Sequence, residues 1–184
     1  MAFVYINGYP GVGKLTVAKE LWRLIPSSKV VDNHSLIDPV AKKYERWMPE
    51  YYPMRKEVRS SALNEAIAST PDVTYIFTDS QSSDEIGSVT AREYEASAKK
   101  RDCPFVSIIL SCHLEENMRR LQAVGRGGSS NTKLTDLGIF RMVRETEDIY
   151  HFGGPMELDL DVTEHSATAT AKKIHAFIRE RLSS

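Results

Sequence analysis

The sequence predicts an α/β protein of three layers, in which helices cover both faces of a five-stranded, mostly parallel sheet. Short apolar runs alternate along the chain with longer segments of helical period, which is typical of parallel strands joined by helices. Valine, isoleucine, tyrosine and phenylalanine crowd three of the runs, as expected for strands buried on both faces. Because 184 residues are too few for two ordinary domains, we expect one domain over 1–184.

The apolar runs define the candidate strands. The last of them, MELDLDV, alternates apolar with acidic residues, and this alternation predicts a strand at the edge of the sheet. The candidate strands lie at 3–7, 29–33, 73–79, 105–112 and 156–162.

Segments of helical period separate the strands. Pro26 closes the first of them, and SSDE at 82–85 resembles the capped start of the fourth. VGRGGSSNTK at 124–133 is instead rich in glycine and serine, which predicts a mobile lid at about 124–135. The candidate helices lie near 14–24, 35–46, 54–69, 84–101, 115–124, 136–150 and 167–182.

The net charge of the chain indicates which classes of partner to expect. A net charge of −1 gives no general attraction to nucleic acid or to an anionic membrane, so we expect neither as a partner. No basic leader precedes the first apolar run, and no run approaches the roughly 20 apolar residues of a membrane helix. The two cysteines form no CxxC pair and suit a reducing compartment. We therefore expect a cytoplasmic monomer or homodimer.

GYPGVGKLT at 8–16 is a glycine-rich turn between the first strand and the first helix. Its glycines let the backbone curl with the amides pointing inward, and the following helix directs the positive end of its dipole at the same point. Lys14 adds a mobile cation for the outer phosphates. An ordinary strand-to-helix turn is the alternative, but spacing and context favour a nucleotide phosphate site. The predicted nucleotide-binding residues of this loop are Gly8, Pro10, Gly11, Val12, Gly13, Lys14, Leu15 and Thr16.

Leu15 occupies the position where a metal-binding serine or threonine commonly follows the lysine. The pattern GxPGxGKxT, with threonine one residue later, resembles adenylate kinase and its nucleoside monophosphate kinase relatives, in which glycine commonly fills this position. The resemblance implies a P-loop NTPase fold, a phosphate contact for Thr16, and magnesium held largely through water and an acidic residue. Leu15 adds bulk beside the phosphates where glycine is common, so weaker metal binding is an open alternative.

Asp32 and His34 lie at the carboxyl end of the second strand, at the sheet edge where ligands bind in open parallel sheets. Asp32 is suited to orient or deprotonate an acceptor hydroxyl, with His34 assisting. Shikimate, gluconate and chloramphenicol kinases, which the chain resembles in size and strand pattern, often carry an aspartate in this region. The alternative is that Asp32 or Asn33 only caps the following helix, a role for which Ser35 competes.

Asp79 follows the apolar third strand, as the acid of a Walker B motif does. An acid at this point can hold magnesium directly or through water, so Thr16 and Asp79 are the candidate metal residues. A cap on the next helix is the competing interpretation.

Arginines surround the predicted lid. In the adenylate kinase-like enzymes that this region resembles, one arginine before the lid stacks on the base and others bind phosphates. The resemblance implies the stacking role for Arg120 or Arg119 and phosphate binding for Arg126, Arg141 and Arg144. Solvated surface charge is the alternative for each. Outside the lid, either Arg55 or Arg59 could meet an anionic acceptor, whereas His113, His151 and His175 lack metal spacing and suit structural or surface roles.

Together the motifs predict an ATP- and Mg²⁺-dependent kinase that phosphorylates a small molecule such as a nucleotide, a sugar acid or a similar hydroxyl compound. Its predicted catalytic residues are Lys14, Asp32, Arg126 and Arg141. The alternative is a nucleotide-binding regulatory protein with weak or no hydrolysis, which Leu15 favours.

Overall fold

A single parallel sheet forms the centre of the molecule in a computed structural model that describes residues 1–123 and 134–183. The strands are β1 Phe3–Gly8, β2 Ser28–Asp32, β3 Thr74–Thr78, β4 Phe105–Ser111 and β5 Glu157–Asp161. Their order across the sheet is β2, β3, β1, β4, β5, and every pairing between neighbours is parallel. The carboxyl ends of all five strands therefore meet at one edge, which we call the carboxyl edge.

One or two helices connect each strand to the next along the chain, and a last helix follows β5. Those in the two described ranges are α1 Lys14–Leu24, α2 Asn33–Ala41, α3 Tyr51–Ala68, α4 Glu85–Lys100, α5 Leu114–Leu121, α6 Leu137–Thr146 and α7 Ala167–Leu182. None of them combines the length and the apolar character that a membrane crossing requires.

The central strand β1 distributes its side chains between two buried layers. Val4 and Ile6 pack in one cluster with buried residues of α1 and α7, whereas Phe3 and Tyr5 pack in another with buried residues of α3 and α4. This alternation follows from the two-residue period of a strand. The fold is thus a three-layer arrangement, as the alternation of apolar runs predicts, with a sheet that is wholly rather than mostly parallel.

The sequence locates each strand to within about two residues, and β5 lies at an edge as its acidic alternation predicts. Asp84 occupies the N-cap position of α4 and accepts a hydrogen bond from Gly87 N at 2.6 Å, so the predicted capped start at 82–85 is confirmed. A Cβ atom on Gly87 would lie 2.2 Å from Ser82 O, which explains why position 87 is a glycine.

Three helices end earlier than the sequence predicts, and one of them is α5, which ends at Leu121. Helix α2 stops at Ala41, where Val40 O accepts bonds from the amides of both Lys43 and Tyr44 and closes a tight turn. Helix α6 stops at Thr146 because the next residues pair with the loop after β3, through an antiparallel bridge between Ser82 and Ile149. The predicted lid lies almost entirely outside the described residues.

Candidate nucleotide and acceptor site

The glycine-rich loop leads from β1 into α1 at the carboxyl edge. Gly11 and Gly13 have φ angles of 89° and 106°, in the left-handed region that residues with a Cβ atom rarely adopt. A Cβ atom on Gly11 would also lie 2.5 Å from Asn117 Nδ2. Glycine at position 11 is therefore required both by its backbone conformation and by the close approach of α5.

Lys14 is the first residue of α1, and its side chain turns back over the loop. Its Nζ atom donates to Gly8 O at 2.5 Å and to Tyr9 O at 2.9 Å. The ammonium group is therefore held against the loop backbone, where phosphate oxygens can replace these carbonyl oxygens. Thr16 lies in the first turn of α1 and is exposed, and Leu15 beside it is half-buried.

Two side chains of α5 hold the loop from one side. Asn117 is fully buried and donates from Nδ2 to Pro10 O at 2.8 Å. Arg120 donates to Val12 O at 3.0 Å and to Val162 O and Thr163 O at 2.8 and 3.2 Å. Arg120 thus joins the glycine-rich loop to the loop between β5 and α7.

Glu116 fixes the orientation of the Arg120 guanidinium, accepting a bond from its Nε atom at 2.6 Å. The same carboxylate accepts two bonds from Arg119, whose side chain is exposed. These bonds, with those of Arg119 the larger cause, lower the pKa of Glu116 from 4.5 to about 2. Since the bonds to Arg120 lie in the guanidinium plane, the planar group is held by its edges.

Helix α6 contacts the loop through Tyr9. The Tyr9 hydroxyl donates to Glu147 O at 2.5 Å, and the guanidinium carbon of Arg144 lies 4.3 Å from the centre of the tyrosine ring. Burial raises the pKa of the Tyr9 hydroxyl, and the Arg144 charge opposes that rise. Arg141, three residues earlier, is exposed, so the two arginines of α6 have different surroundings. Arg126 lies outside the described residues.

Asp32 ends β2 beside Thr78 of β3. Its Oδ1 atom accepts a bond from the Thr78 hydroxyl at 3.0 Å, and the same hydroxyl accepts a weaker bond from Asn33 N at 3.3 Å. Asp32 occupies the N-cap position of α2, but its side chain makes no capping bond. His34 is directed towards its own helix, with Nδ1 3.7 Å from Asp38 Oδ1. The carboxylate of Asp32 is therefore oriented by β3 and remains partly accessible.

The sequence does not distinguish Arg55 from Arg59 as the residue that meets an anionic acceptor, but their surroundings in the structure differ. Arg59 is only 7% exposed and donates from Nε to Glu93 Oε2 at 2.6 Å. Arg55, one turn earlier, is half-buried and donates from Nη2 to Asn33 Oδ1 at 3.3 Å. Its Nε atom is enclosed and has no hydrogen-bond partner among the described residues. An enclosed donor without an acceptor is unusual in a folded protein.

Asp79 lies just beyond β3 and is completely buried. Its Oδ1 atom accepts bonds from Ser80 N and Gln81 Nε2, both at 2.8 Å. Its Oδ2 atom and the hydroxyls of Tyr5 and Tyr94 are all enclosed, and the Asp79 carboxylate interacts with both hydroxyls. Burial, followed by the Asp79 charge, raises the pKa of both tyrosines well above its usual value.

The resemblance to nucleoside monophosphate kinases implies a bound magnesium ion, but the side chains at the carboxyl edge fit such an ion only in part. Thr16 offers an exposed hydroxyl and Asp32 a partly accessible carboxylate, which suit an ion that retains much of its water. Enclosed Asp79 offers no open side to such an ion, so direct ligation by Asp79 does not fit. Any influence of Asp79 on the metal is indirect, through water or through the loop that it holds.

Asn7 is a site residue that the sequence reasoning missed. It is fully buried at the end of β1, and its Nδ2 atom donates to Gln81 O at 3.0 Å and to Tyr150 O at 3.1 Å. Its Oδ1 atom accepts from Gln81 N at 2.8 Å. The sequence does contain a signal for this residue, namely an amide side chain at the end of an apolar strand, because a buried amide must find hydrogen-bond partners.

A family model described as an AAA domain matches residues 4–137, which is more than half of the chain. The chain belongs to this AAA domain family. The matched part of the AAA domain includes the glycine-rich loop, Asp32, Asp79 and the two residues of α5 that hold the loop. No match was found among curated proteins.

Solved structures share the fold of this chain over nearly its whole length. A gluconokinase from Sinorhizobium meliloti is 12% identical with a TM-score of 0.67, covering 99% of this chain and 95% of its own. The tunicamycin resistance protein of Deinococcus radiodurans is 19% identical with a TM-score of 0.58, covering 96% and 95%. The APS kinase of Mycobacterium tuberculosis, in complex with AMPPNP and APS, is 16% identical with a TM-score of 0.61, covering 97% of each chain. The predicted P-loop kinase-like fold is therefore confirmed.

Proposed function

We propose that the protein is an ATP-dependent kinase that transfers the γ-phosphoryl group to a hydroxyl of a small molecule. The observation that carries this proposal is the placement of two chemistries at one sheet edge: a phosphate-binding loop with Lys14 after β1, and the partly accessible carboxylate of Asp32 at the end of β2. Phosphoryl transfer depends mainly on positioning and on charge stabilisation, and these groups can supply both.

The glycine-rich loop holds the donor in this proposal. Its backbone amides and the amino end of α1 bind the β and γ phosphates, and Lys14 exchanges the carbonyl oxygens of Gly8 and Tyr9 for phosphate oxygens. Arg120, held by its edges, keeps a flat face for the base. Thr16 and water would hold magnesium, which would supply positive charge against the phosphate oxygens.

Asp32 directs the acceptor in this proposal. The Thr78 hydroxyl orients the carboxylate through Oδ1, which leaves Oδ2 to accept a hydrogen bond from the attacking hydroxyl. The acceptor oxygen forms a bond to the γ phosphorus, the bond from that phosphorus to the bridging oxygen breaks, and ADP leaves with the electron pair. The hydroxyl proton passes to Asp32 and from there to water. Arg126 and Arg141 remain candidates for charge stabilisation by the lid.

Arg55 supports an acceptor that carries an anionic group. Arg59 already has a carboxylate partner in Glu93, whereas the half-buried Arg55 has one weak bond to the neutral side chain of Asn33. A carboxylate or phosphate is the natural partner for a guanidinium. We therefore propose an acceptor with a hydroxyl for Asp32 and an anionic group for Arg55.

The test is acceptor-dependent ADP release, measured with paired acceptors that differ in one anionic group, such as gluconate against glucose and AMP against adenosine. We expect the original protein to turn over the anionic acceptor of a pair. Lys14→Ala should reduce this turnover at least a hundredfold. The control Lys19→Ala, which removes an exposed lysine of the same helix, should change it little. Unchanged ATP binding and turnover in Lys14→Ala would overturn the proposal.

A nucleotide-dependent regulator is the second candidate. Leu15 and the enclosure of Asp79 favour it, because both reduce direct protein contact with a metal. ADP release that is independent of every acceptor, and that changes when a protein partner binds, would support the regulator over the kinase.

A further inference from the structure

A cluster outside the proposed kinase site brings together the three side chains of His151, Glu157 and Asp159. His151 lies in the segment between α6 and β5, and the two acids are alternate residues of β5, so they lie on one face of this edge strand. The sequence reasoning treated His151 as isolated because no histidine or cysteine stands at metal spacing from it. The fold supplies the missing neighbours by turning the chain back at 152–156.

The donor atoms stand at distances that suit a shared ion. His151 Nδ1 lies 3.1 Å from Glu157 Oε1 and 3.5 Å from Asp159 Oδ1, and one ligand atom from each residue lies within 4.8 Å of the others. Two ligands bonded at about 2.1 Å to a tetrahedral or octahedral ion are about 3.0–3.4 Å apart. Only small side-chain adjustments would therefore bring all three atoms into bonding distance of one ion.

Neighbouring donors hold the carboxylate of Glu157 in place. Its side chain is 7% exposed, and its Oε2 atom accepts bonds from Ser107 Oγ and Phe152 N, both at 2.8 Å. Its Oε1 atom also accepts from Gly153 N at 3.1 Å. Supporting hydrogen bonds of this kind orient ligands before the metal binds. The central ligand is therefore rigid, unlike a carboxylate on an open surface.

The other two ligands leave the cluster open on its outer side. The side chains of His151 and Asp159 are 49% and 67% exposed, so an ion can reach the cluster from solvent and complete its coordination with water. Two carboxylates that converge on one point repel each other unless a cation lies between them. A metal ion bound by all three side chains would supply that cation.

We infer that His151, Glu157 and Asp159 form a binding site for a divalent transition ion of the zinc type. One imidazole and two carboxylates suit zinc or manganese, whereas magnesium and calcium prefer oxygen ligands alone. The ion fixes the segment between α6 and β5. The preceding residue, Tyr150, bonds to Asn7 and Gln81 at the carboxyl edge, so this segment also borders the proposed kinase site.

Isothermal titration of the nucleotide-free full chain with Zn²⁺ tests the inference. We expect one equivalent to bind, an affinity at least tenfold lower in His151→Ala and Asp159→Asn, and no displacement by excess Mg²⁺. Both substituted side chains are largely exposed, and unchanged circular dichroism with EDTA present will show that the variants fold. Cobalt absorption gives a second measure, since nitrogen and oxygen ligands alter its visible spectrum.

His113→Ala is the matched control, because His113 and Asp161 form another exposed histidine–aspartate pair with 3.8 Å between Nε2 and Oδ2. Asp72→Asn, which removes an exposed carboxylate elsewhere, is the control for Asp159→Asn. Neither control should change the zinc affinity. Absence of zinc binding, or equal losses in the controls and the cluster variants, would overturn the inference and leave a histidine–carboxylate hydrogen bond that only closes the turn.

Discussion

The phosphate loop and the acceptor side of the carboxyl edge are built in different ways. The loop presents backbone amides, and side chains hold its backbone in place: Asn117 and Arg120 donate to it from α5, and its own Tyr9 donates to Glu147 O. The acceptor side presents side chains, and their neighbours decide which of them remain available. Asp32 is accessible, whereas Asp79 and Arg59 are enclosed.

This difference indicates how each region can be damaged. The loop should be sensitive to changes in backbone shape and in its distant supports, and substitutions there should impair nucleotide binding. The acceptor side should be sensitive to loss of single functional groups, and substitutions there should reduce turnover while nucleotide binding persists.

The largest expected effect is that of Asp32→Asn, which keeps the shape of the side chain but removes its charge and basicity. We expect kcat to fall by about a hundredfold or more, with ADP affinity within about twofold of the original, measured by steady-state kinetics and calorimetry. Thr78→Val, which removes the hydroxyl that orients Asp32, should lower kcat less. A parallel loss of ADP binding in Asp32→Asn would show that the two regions are not separate.

Gly11→Ala should have the next largest effect, on the loop. The new methyl group meets Asn117 and Leu121 at less than 3.0 Å and the φ angle is unfavourable, so we expect a loss of about 2–4 kcal/mol in the free energy of unfolding and at least tenfold weaker ADP binding. Gly154→Ala separates the two causes, because its φ is also positive at 84° but nothing lies within 4 Å. Equal losses of stability in both variants would exclude the contact with α5 as the reason.

Arg120→Met should weaken ADP binding by about tenfold, because the variant loses three charge-assisted bonds to the backbone of two loops. Arg119→Met is the matched change one residue earlier, where the side chain is exposed and bonds to Glu116. That control should bind ADP within about twofold of the original. Similar losses from the two variants would mean that Arg120 acts only as a surface charge.

The smallest expected effect is on acid stability. Because the pKa of Glu116 is lowered from 4.5 to about 2, its ion pairs stabilise the folded chain above about pH 4.5, and this stabilisation is lost as the pH falls towards 2. Glu116→Gln should lower the melting temperature by about one or two degrees at pH 6, and the difference should shrink between pH 4.5 and 2. A difference that is the same at pH 6 and pH 2.5 would contradict this assignment.

The fold could be predicted almost completely from the sequence, because the inner strands β1, β3 and β4 are buried on both faces and appear as apolar runs. The glycine-rich loop could also be predicted, since its φ angles and close contacts permit few residues other than glycine. Local residue type and local structure are coupled in both cases.

Roles on the acceptor side could not be predicted with the same success, since they depend on distant partners. Nothing next to Arg59 in the sequence indicates that it pairs with Glu93. An acid after an apolar strand is equally compatible with the partly accessible carboxylate of Asp32 and the enclosed carboxylate of Asp79. The support of the loop by Asn117 spans 107 positions of the chain. A spacing rule cannot detect such contacts.

The buried amide of Asn7 has a consequence for local motion. One side chain bonds to the backbone of both the segment after β3 and the segment before β5, and those segments also bond to each other through Tyr150 N and Gln81 O. Neither segment can separate from β1 without breaking bonds of the other. The amide protons of Gln81 and Tyr150 should therefore exchange with solvent in a single shared opening event, so that two stretches far apart in the chain behave as one cooperative unit.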